Sequence, residues 1–242
     1  MMHTEISIEE PEYRHEKKYI CPLEYMEVMR FRISNILSYD SHVNAQGKYF
    51  IKSLYFDSYN DSCLYQNEAG EDPRQKWRIR TYNHDKAHIA LELKEKKNGL
   101  IRKETCLLSY EQYLDAFRAK LRPNSENAPL LNKFVLEQMM KGLKPKVIVQ
   151  YERVPFILER DKIRITFDFN IFSCPVEHAG ALFSETVIKR PILRNGIWLL
   201  EVKYGKGMPE YVRHLLHMRE MSEVNFSKYY LCRKYSMTGG MY

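Results

Sequence analysis

A run of alternating residues from Arg74 to Lys103, RQKWRIRTYNHDKAHIALELKEKKNGLIRK, constrains this chain more than any other stretch. Successive side chains of a β-strand point to opposite faces, so a period of two sorts each half into two sets. In the first half Lys76, Arg78, Arg80 and Tyr82 share one face, and Trp77 and Ile79 share the other. In the second half Glu92, Lys94 and Lys96 lie opposite Leu91 and Leu93. Asn98-Gly99 predicts a two-residue hairpin turn, because both central positions of a type I′ turn need positive φ. The next segment, Leu100 to Leu108, carries Lys103 beside Ile101. The stretch therefore predicts a meander with one apolar face and one charged, mostly positive face. Such a charged face is either solvated or arranged around an anion.

The alternation recurs elsewhere. Glu12 to Ile20 sets Arg14, Glu16 and Lys18 against His15, Lys17 and Tyr19, and Pro22 ends it. Lys48 to Asp57 is rich in aromatic and β-branched residues and predicts another strand. Lys146 to Leu158 carries Arg153 opposite Val154 and Phe156. After a short polar turn, Lys162, Arg164, Thr166 and Asp168 alternate with Ile163, Ile165, Phe167 and Phe169. Ile197 to Tyr204 sets Glu201 and Lys203 against Leu200 and Val202. Helical spacing predicts a helix over 23–38, one from the N-cap Ser109 to Pro123, and one over 130–142 ending at Gly142. Residues 58–70 predict one or two helical turns, 173–195 an irregular segment, and 208–237 two helices broken near Ser222.

About eight strands of this kind predict an antiparallel sheet with its apolar face on a core. If helices cover the outside of a closed barrel, the charged faces point inward. Eight or so cations in one lumen repel strongly at reduced dielectric. They coexist around a highly charged anion, with a few carboxylates left for a divalent metal.

Composition narrows the partners. The chain has 242 residues, enough for one large domain or two small ones, with a net charge of +7. Its pI of about 9.0 points to an anionic partner without identifying it. DNA-binding residues would form an exposed basic stripe with interleaved aromatics; here the cations alternate with apolar residues on strands, so no nucleic-acid partner is expected. No apolar run approaches the roughly 18 residues of a membrane span, and the N-terminus lacks the apolar core of a signal peptide. The five cysteines have no CxxC spacing, so neither a disulfide framework nor a zinc site is expected, and a reducing cytoplasm is. We expect a flexible tail over 1–11, a single domain over 12–237 and a C-terminal tail over 238–242.

Several landmarks occur together: R-x-E-x-K-Y (Arg14, Glu16, Lys18, Tyr19), SLYFD (Ser53 to Asp57), K-x-R-x-R (Lys76, Arg78, Arg80), LELKEK (Leu91 to Lys96) and Lys103. YERVPF (Tyr151 to Phe156), RITFD (Arg164 to Asp168), LEVK (Leu200 to Lys203) and NFSKY (Asn225 to Tyr229) complete the set. From about Tyr13 to Tyr235 the chain resembles the catalytic domain of the vacuolar transporter chaperone (VTC) polyphosphate polymerases, within the CYTH-like triphosphate tunnel metalloenzymes.

The resemblance implies an α+β fold, a closed antiparallel eight-stranded β-tunnel with helices packed outside. It implies phosphate contacts at Lys18, Arg78, Arg80, Lys94, Lys103, Arg153, Arg164 and Lys228. Arg78, Arg80, Lys94 and Glu201 become candidate catalytic residues, and Glu201 with Glu92 the candidate ligands of Mn²⁺ or Mg²⁺. Where the family often has a further lysine this chain has Asn225, so one phosphate contact is expected to be missing. The implied activity transfers the ATP γ-phosphoryl group to a growing polyphosphate chain. A metal-dependent triphosphatase and a non-catalytic binder of polyphosphate are the alternatives. No membrane span is expected in this chain, which leaves room for a membrane partner protein.

Phosphoryl transfer needs positioning and charge neutralisation, which arginine and lysine supply. The remaining polar residues have plainer readings. Glu92 suits a salt bridge to a neighbouring lysine as well as a metal, Glu16 a structural role and Asp168 a turn cap. Tyr19, Tyr55 and Phe156 suit packing, His84 and His88 a solvated loop, Lys162 and Lys203 exposed strand ends, and Lys96 the tunnel mouth.

Overall fold

The computed structural model of the protein describes residues 12–40, 43–216 and 221–237. The expected tails, 1–11 and 238–242, lie outside the described residues. The charged meander is present as β4 (Arg74–Tyr82), β5 (Ile89–Lys97) and β6 (Leu100–Leu108). Asn98 and Gly99 join β5 to β6 with φ of 52° and 76°, and the Asp72 carboxylate accepts from both of their N–H groups at 2.9 and 2.8 Å. Before the meander come β1 (His15–Pro22), α1 (Leu23–Ser34), the two-residue β2 (Ser38–Tyr39), β3 (Tyr49–Asp57) and α2 (Ser62–Glu68). The Asp57 carboxylate accepts from the N–H groups of Cys63 and Leu64 and so fixes the first turn of α2.

After the meander, α3 (Tyr110–Phe117) starts with a capping box between Ser109 and Gln112. It stops well short of Pro123, because Ala119 takes φ of 56° and the Lys120 N–H turns back to the Asp115 carbonyl at 2.8 Å. α4 (Pro129–Lys141) ends on Gly142 at φ 62°. β7 (Lys144–Leu158), β8 (Ile163–Cys174), the two-residue β9 (Arg190–Pro191) and β10 (Ile197–Tyr204) follow. Among the described residues two helices follow, α5 (Glu210–Leu215) and α6 (Lys228–Met237).

All strand pairings are antiparallel, in the order β1-β10-β8-β7-β3-β4-β5-β6, with β2 added to β7 and β9 to β8. Register shifts in β3–β7 and in β7–β8 mark bulges of the kind that bend and twist a sheet. The sheet curls until its edges approach. Arg14 and Ile101 exchange two backbone hydrogen bonds at 2.9 and 2.8 Å, an isolated bridge. The α+β class holds, but the sheet is open, not the closed tunnel expected. β1 is paired along its length to β10, from His15↔Tyr204 to Pro22↔Ile197, and leaves β6 beyond Arg14. Side chains span the gap: the Tyr13 hydroxyl donates to Glu95 at 2.9 Å and Lys94 reaches Glu16.

The convex face carries two apolar cores. Leu54, Phe56, Trp77, Ile79, Leu91, Leu93 and Ile148 pack with Tyr113 of α3 and Phe134 of α4. Val154, Phe156, Ile163, Ile165, Phe167, Leu200 and Val202 pack with Met26, Met29 and Ile33 of α1 and Val212 of α5. The third core is on the concave side. Ile51, Val147, Val149 and Leu199 pack there against Tyr229 and Cys232 of α6. One helix therefore sits within the curl, where all helices were expected outside. The apolar inward residues at that end explain it, since they need cover that water cannot give.

Candidate functional site

The alternation that sends apolar residues outward leaves charged residues on the concave face. β4 presents Lys76, Arg78 and Arg80, β5 Glu92 and Lys94, β6 Lys103, and β7 Tyr151 and Arg153. β8 presents Arg164, Thr166 and Asp168, β10 Glu201 and Lys203, and β1 Glu16 and Lys18. Lys228, at the first turn of α6, enters from the helix inside the curl.

These groups form three ion-pair clusters. In the first, Glu92 accepts from Arg78 Nε at 2.6 Å and Lys103 Nζ at 2.9 Å, with Arg80 Nη1 at 3.7 Å. Arg78 also donates to the Tyr55 hydroxyl at 2.9 Å, and Arg80 to Ser53 Oγ and the Tyr151 hydroxyl, both at 3.2 Å. In the second, both oxygens of Glu16 accept from Lys94 Nζ at 2.8 Å, with Lys18 at 3.0 Å and Lys203 at 3.7 Å. In the third, Arg153 grips Asp168 with two bonds of 2.6 and 2.7 Å and touches Glu201 at 3.3 Å. Lys228 Nζ lies between the two acids, 2.6 Å from Asp168 and 2.7 Å from Glu201. Arg164 stands nearby, held by Asp40 at 2.6 Å and the Tyr49 hydroxyl at 2.7 Å.

Positive charge is in surplus. Among the described residues this face gathers the ten cations Lys18, Lys76, Arg78, Arg80, Lys94, Lys103, Arg153, Arg164, Lys203 and Lys228. Their ion-pair partners are five acids, Glu16, Asp40, Glu92, Asp168 and Glu201. Lys76 donates to neutral partners, Asn67 Oδ1 at 2.5 Å and Ser227 Oγ at 2.9 Å.

The electrostatics follow. Burial alone would raise the carboxyl groups, but the surrounding lysines and arginines hold Glu16, Glu92 and Glu201 well below the usual carboxylate range. The lysines diverge. Burial, helped by Lys18 and Lys203 and opposed by Glu16, pushes Lys94 down to about 7. Burial, with Lys18 and Arg74 nearby, pushes Lys76 down to about 8. Lys228 also feels burial, but the carboxylates of Asp168 and Glu201 outweigh it and raise its pKa.

All eight expected phosphate residues thus lie on one face. The two expected metal ligands do not share a cluster: Glu92 belongs with Arg78 and Lys103, and Glu201 with Asp168 and Lys228. Asp168 is fully buried and ion-paired, which decides against the turn-cap reading, and Lys203 lies 3.7 Å from both Glu16 and Glu201, on the face it shares with Glu201. Asp40, Tyr49 and Tyr151 had not been singled out. Asp40 follows a two-residue strand with no periodicity, and both tyrosines read as ordinary strand residues. His84 packs against Phe50. A cavity of about 290 Å³ between α2, β4 and α4, lined by Cys63, Trp77 and Glu137, contains none of the ten cations.

No cluster of three or more His, Cys, Asp or Glu side chains is poised to hold a metal among the described residues. Mg²⁺-like ions are often bound through one or two carboxylates, with phosphate and water oxygens completing the shell. Asp168 Oδ2 and Glu201 Oε1 converge on one point, at Lys228 Nζ, so this donor set fits such an ion better than Glu92 paired with Glu201 does.

A family model described as the VTC domain matches residues 13–237. The chain belongs to the VTC domain family. Among solved structures, a putative adenylate cyclase from Bacillus halodurans aligns at 18% identity over 89% of this chain and 94% of that one, with a TM-score of 0.51. Another so named, from Vibrio parahaemolyticus, aligns at 12% identity over 92% of this chain and 98% of that one, with a TM-score of 0.49. The first likeness is one of fold. No curated protein sequence matches. VTC membership and the cation-rich concave face together support a phosphate-related function of the tunnel type. Among the described residues of this VTC domain no helix is long and apolar enough to cross a membrane.

Proposed function

We propose that this VTC domain is a polyphosphate polymerase that transfers the γ-phosphoryl group of ATP to the end of an inorganic polyphosphate chain. The observation that carries the reading is the surplus of cations on one concave face. Five carboxylates against ten cations leave a place for several phosphate charges at once. A linear polyanion matches a row of cations drawn from seven strands and one helix better than a single phosphate does.

In this reading Arg78, Arg80, Arg153 and Arg164 grip phosphate oxygens through their planar forks, and Lys18, Lys94, Lys103 and Lys228 supply point charges. Binding exchanges part of the contact these side chains make with Glu92 and Glu16 for contact with phosphate. The chain-end oxygen of polyphosphate is already largely ionised, so its attack on the γ-phosphorus needs alignment more than a base, and ADP departs as the bond forms. Glu201, with Asp168 beside it, would hold a Mn²⁺ or Mg²⁺ ion, which when bound neutralises phosphate charge and polarises the bond to be broken. A strand seam bridged by side chains, with α6 at one end, would act as the tunnel that keeps the chain aligned.

Incubation with ATP and Mn²⁺, scored for polyphosphate against free phosphate, tests the proposal. Polyphosphate with stoichiometric ADP is the expected result. Free phosphate alone would make the protein a triphosphatase, and binding of polyphosphate without turnover would make it a non-catalytic binder.

A further inference from the structure

Thr166 is the one inward residue of β8 whose function the clusters leave unexplained. Its neighbours along the strand, Arg164 and Asp168, are both ion-paired. Its register partners are Glu201 on β10 and Pro155 on β7, so its side chain stands on the concave face directly beside Glu201. Ile163, Ile165 and Phe167, on the other face of the strand, fill the convex core. Thr166 is 1% exposed, and its Oγ1 has no hydrogen-bond partner among the described residues. A buried hydroxyl without a partner is unfavourable, and valine has nearly the same shape and the same preference for a strand. If the position served packing alone, the hydroxyl would be a net cost.

We infer that Thr166 is a further substrate-positioning residue, its hydroxyl donating a hydrogen bond to a phosphate oxygen of a linear polyphosphate lying beside Glu201. The assignment rests on the phosphate-chain reading of the site and adds a neutral donor to its cations. Charge alone attracts phosphate from any direction. A hydroxyl fixed by a β-branched side chain on a rigid strand selects one oxygen position, which sets the register of the chain against Glu201. Lys228 and Arg153, both within reach of Glu201, bracket the same position from the α6 side and from β7.

The test is tripolyphosphate affinity, read as the shift of melting temperature across a ligand titration, with Mn²⁺ and separately in EDTA. Thr166→Val should melt at or above the wild-type temperature when empty, yet bind tripolyphosphate about tenfold more weakly in both conditions. Thr166→Ser, which keeps the hydroxyl, should restore wild-type affinity. If the valine variant does not fold, Thr166→Ala compared with Thr166→Ser separates the hydroxyl from the methyl group in the same assay. Equal affinity of the wild type and the hydroxyl-free variant would overturn the inference while leaving the phosphate reading intact. A loss seen only with Mn²⁺ would also overturn it, because the hydroxyl would then serve the metal's shell instead of the phosphate. A wild type indifferent to tripolyphosphate in both conditions would overturn the phosphate reading and this inference with it.

Discussion

Lys94 on β5 reaches both carboxylate oxygens of Glu16 on β1 at 2.8 Å, although the two strands are not neighbours in the hydrogen-bonded order of the sheet. The pair spans the seam where the backbone ladder is open. Glu16 also serves Lys18 and Lys203, so one acid is shared by three lysines.

Glu16→Gln should therefore be costly out of proportion to its size. Removing one partner from a buried ion pair typically costs about 3–5 kcal/mol, and the partly exposed lysines place this case near the lower figure. Urea unfolding should show the loss, and added tripolyphosphate should recover most of it by supplying the missing negative charge. A variant as stable as the wild type would mean that Glu16 does not hold the seam.

Lys94 gives the site a pH dependence whose sign can be worked out. Its pKa is about 7 in the folded protein, against roughly 10.4 for an unperturbed lysine. Between those values the unfolded chain holds the proton and the empty folded protein does not. This group therefore makes the empty protein more stable as pH rises from about 7 toward 10. A bound polyanion favours the ammonium form, so binding above pH 7 takes up a proton and affinity falls as pH climbs. Calorimetry at pH 8 in two buffers of different ionisation enthalpy should detect the uptake, and Lys94→Met should reduce it. Identical heats in both buffers would refute this account.

Tripolyphosphate should stabilise the protein strongly. A ligand specific to the folded state contributes about 2.7 kcal/mol at a hundredfold excess over Kd. For a domain of this size that corresponds to a rise of about 5–10 °C in Tm. Orthophosphate, which meets few cations at once, should do far less. Arg78→Ala and Arg164→Ala should each shrink the shift without unfolding the protein, because both side chains lie opposite the convex apolar cores. Equal shifts with orthophosphate and tripolyphosphate would argue against a linear ligand.

Glu201→Gln should leave the fold in place, since the amide keeps the shape, its one oxygen can still accept from Lys228, and Arg153 keeps its two bonds to Asp168. Turnover should fall by orders of magnitude, because a divalent ion contributes several kcal/mol of charge stabilisation during phosphoryl transfer. Titrating Mn²⁺ against activity should show the requirement moved to higher concentration. Glu92→Gln should instead strengthen tripolyphosphate binding by removing the carboxylate that competes with it for Arg78 and Lys103, with the Mn²⁺ requirement unchanged. A shift in the Mn²⁺ curve for Glu92→Gln alone would transfer the metal to the other cluster.

Much of the concave face was legible because its rule is local. Arg78 and Arg80 alternate with Trp77 and Ile79, and that alone puts the pair of arginines on one face. Gly142, Ser109 and Asn98-Gly99 mark their helix and turn ends by chemistry confined to a few residues. The partners were less legible, because they depend on register between distant strands. Asp168 meets Arg153 only through the β7–β8 pairing, and Lys203 meets Glu16 only through β1–β10. The inward position of α6 was hidden too. Its residues carry no sign of which face of a sheet they will cover, and Ile51, Val147 and Val149 read as ordinary strand residues until the direction of curl is known.

The pairing of β1 with β10 joins residues from the two ends of the described chain, Lys18 beside Glu201 and Glu16 beside Lys203. Closing so long a loop is entropically expensive, and pairings of this separation tend to form late, whereas the β4–β5–β6 hairpins close over short turns. The acids of the two ends therefore reach their lysines after the central cations are already crowded together. The refolding chain carries uncompensated repulsion through its last step, so the order of assembly makes folding slow and makes any polyanion present in the refolding mixture an accelerator of it.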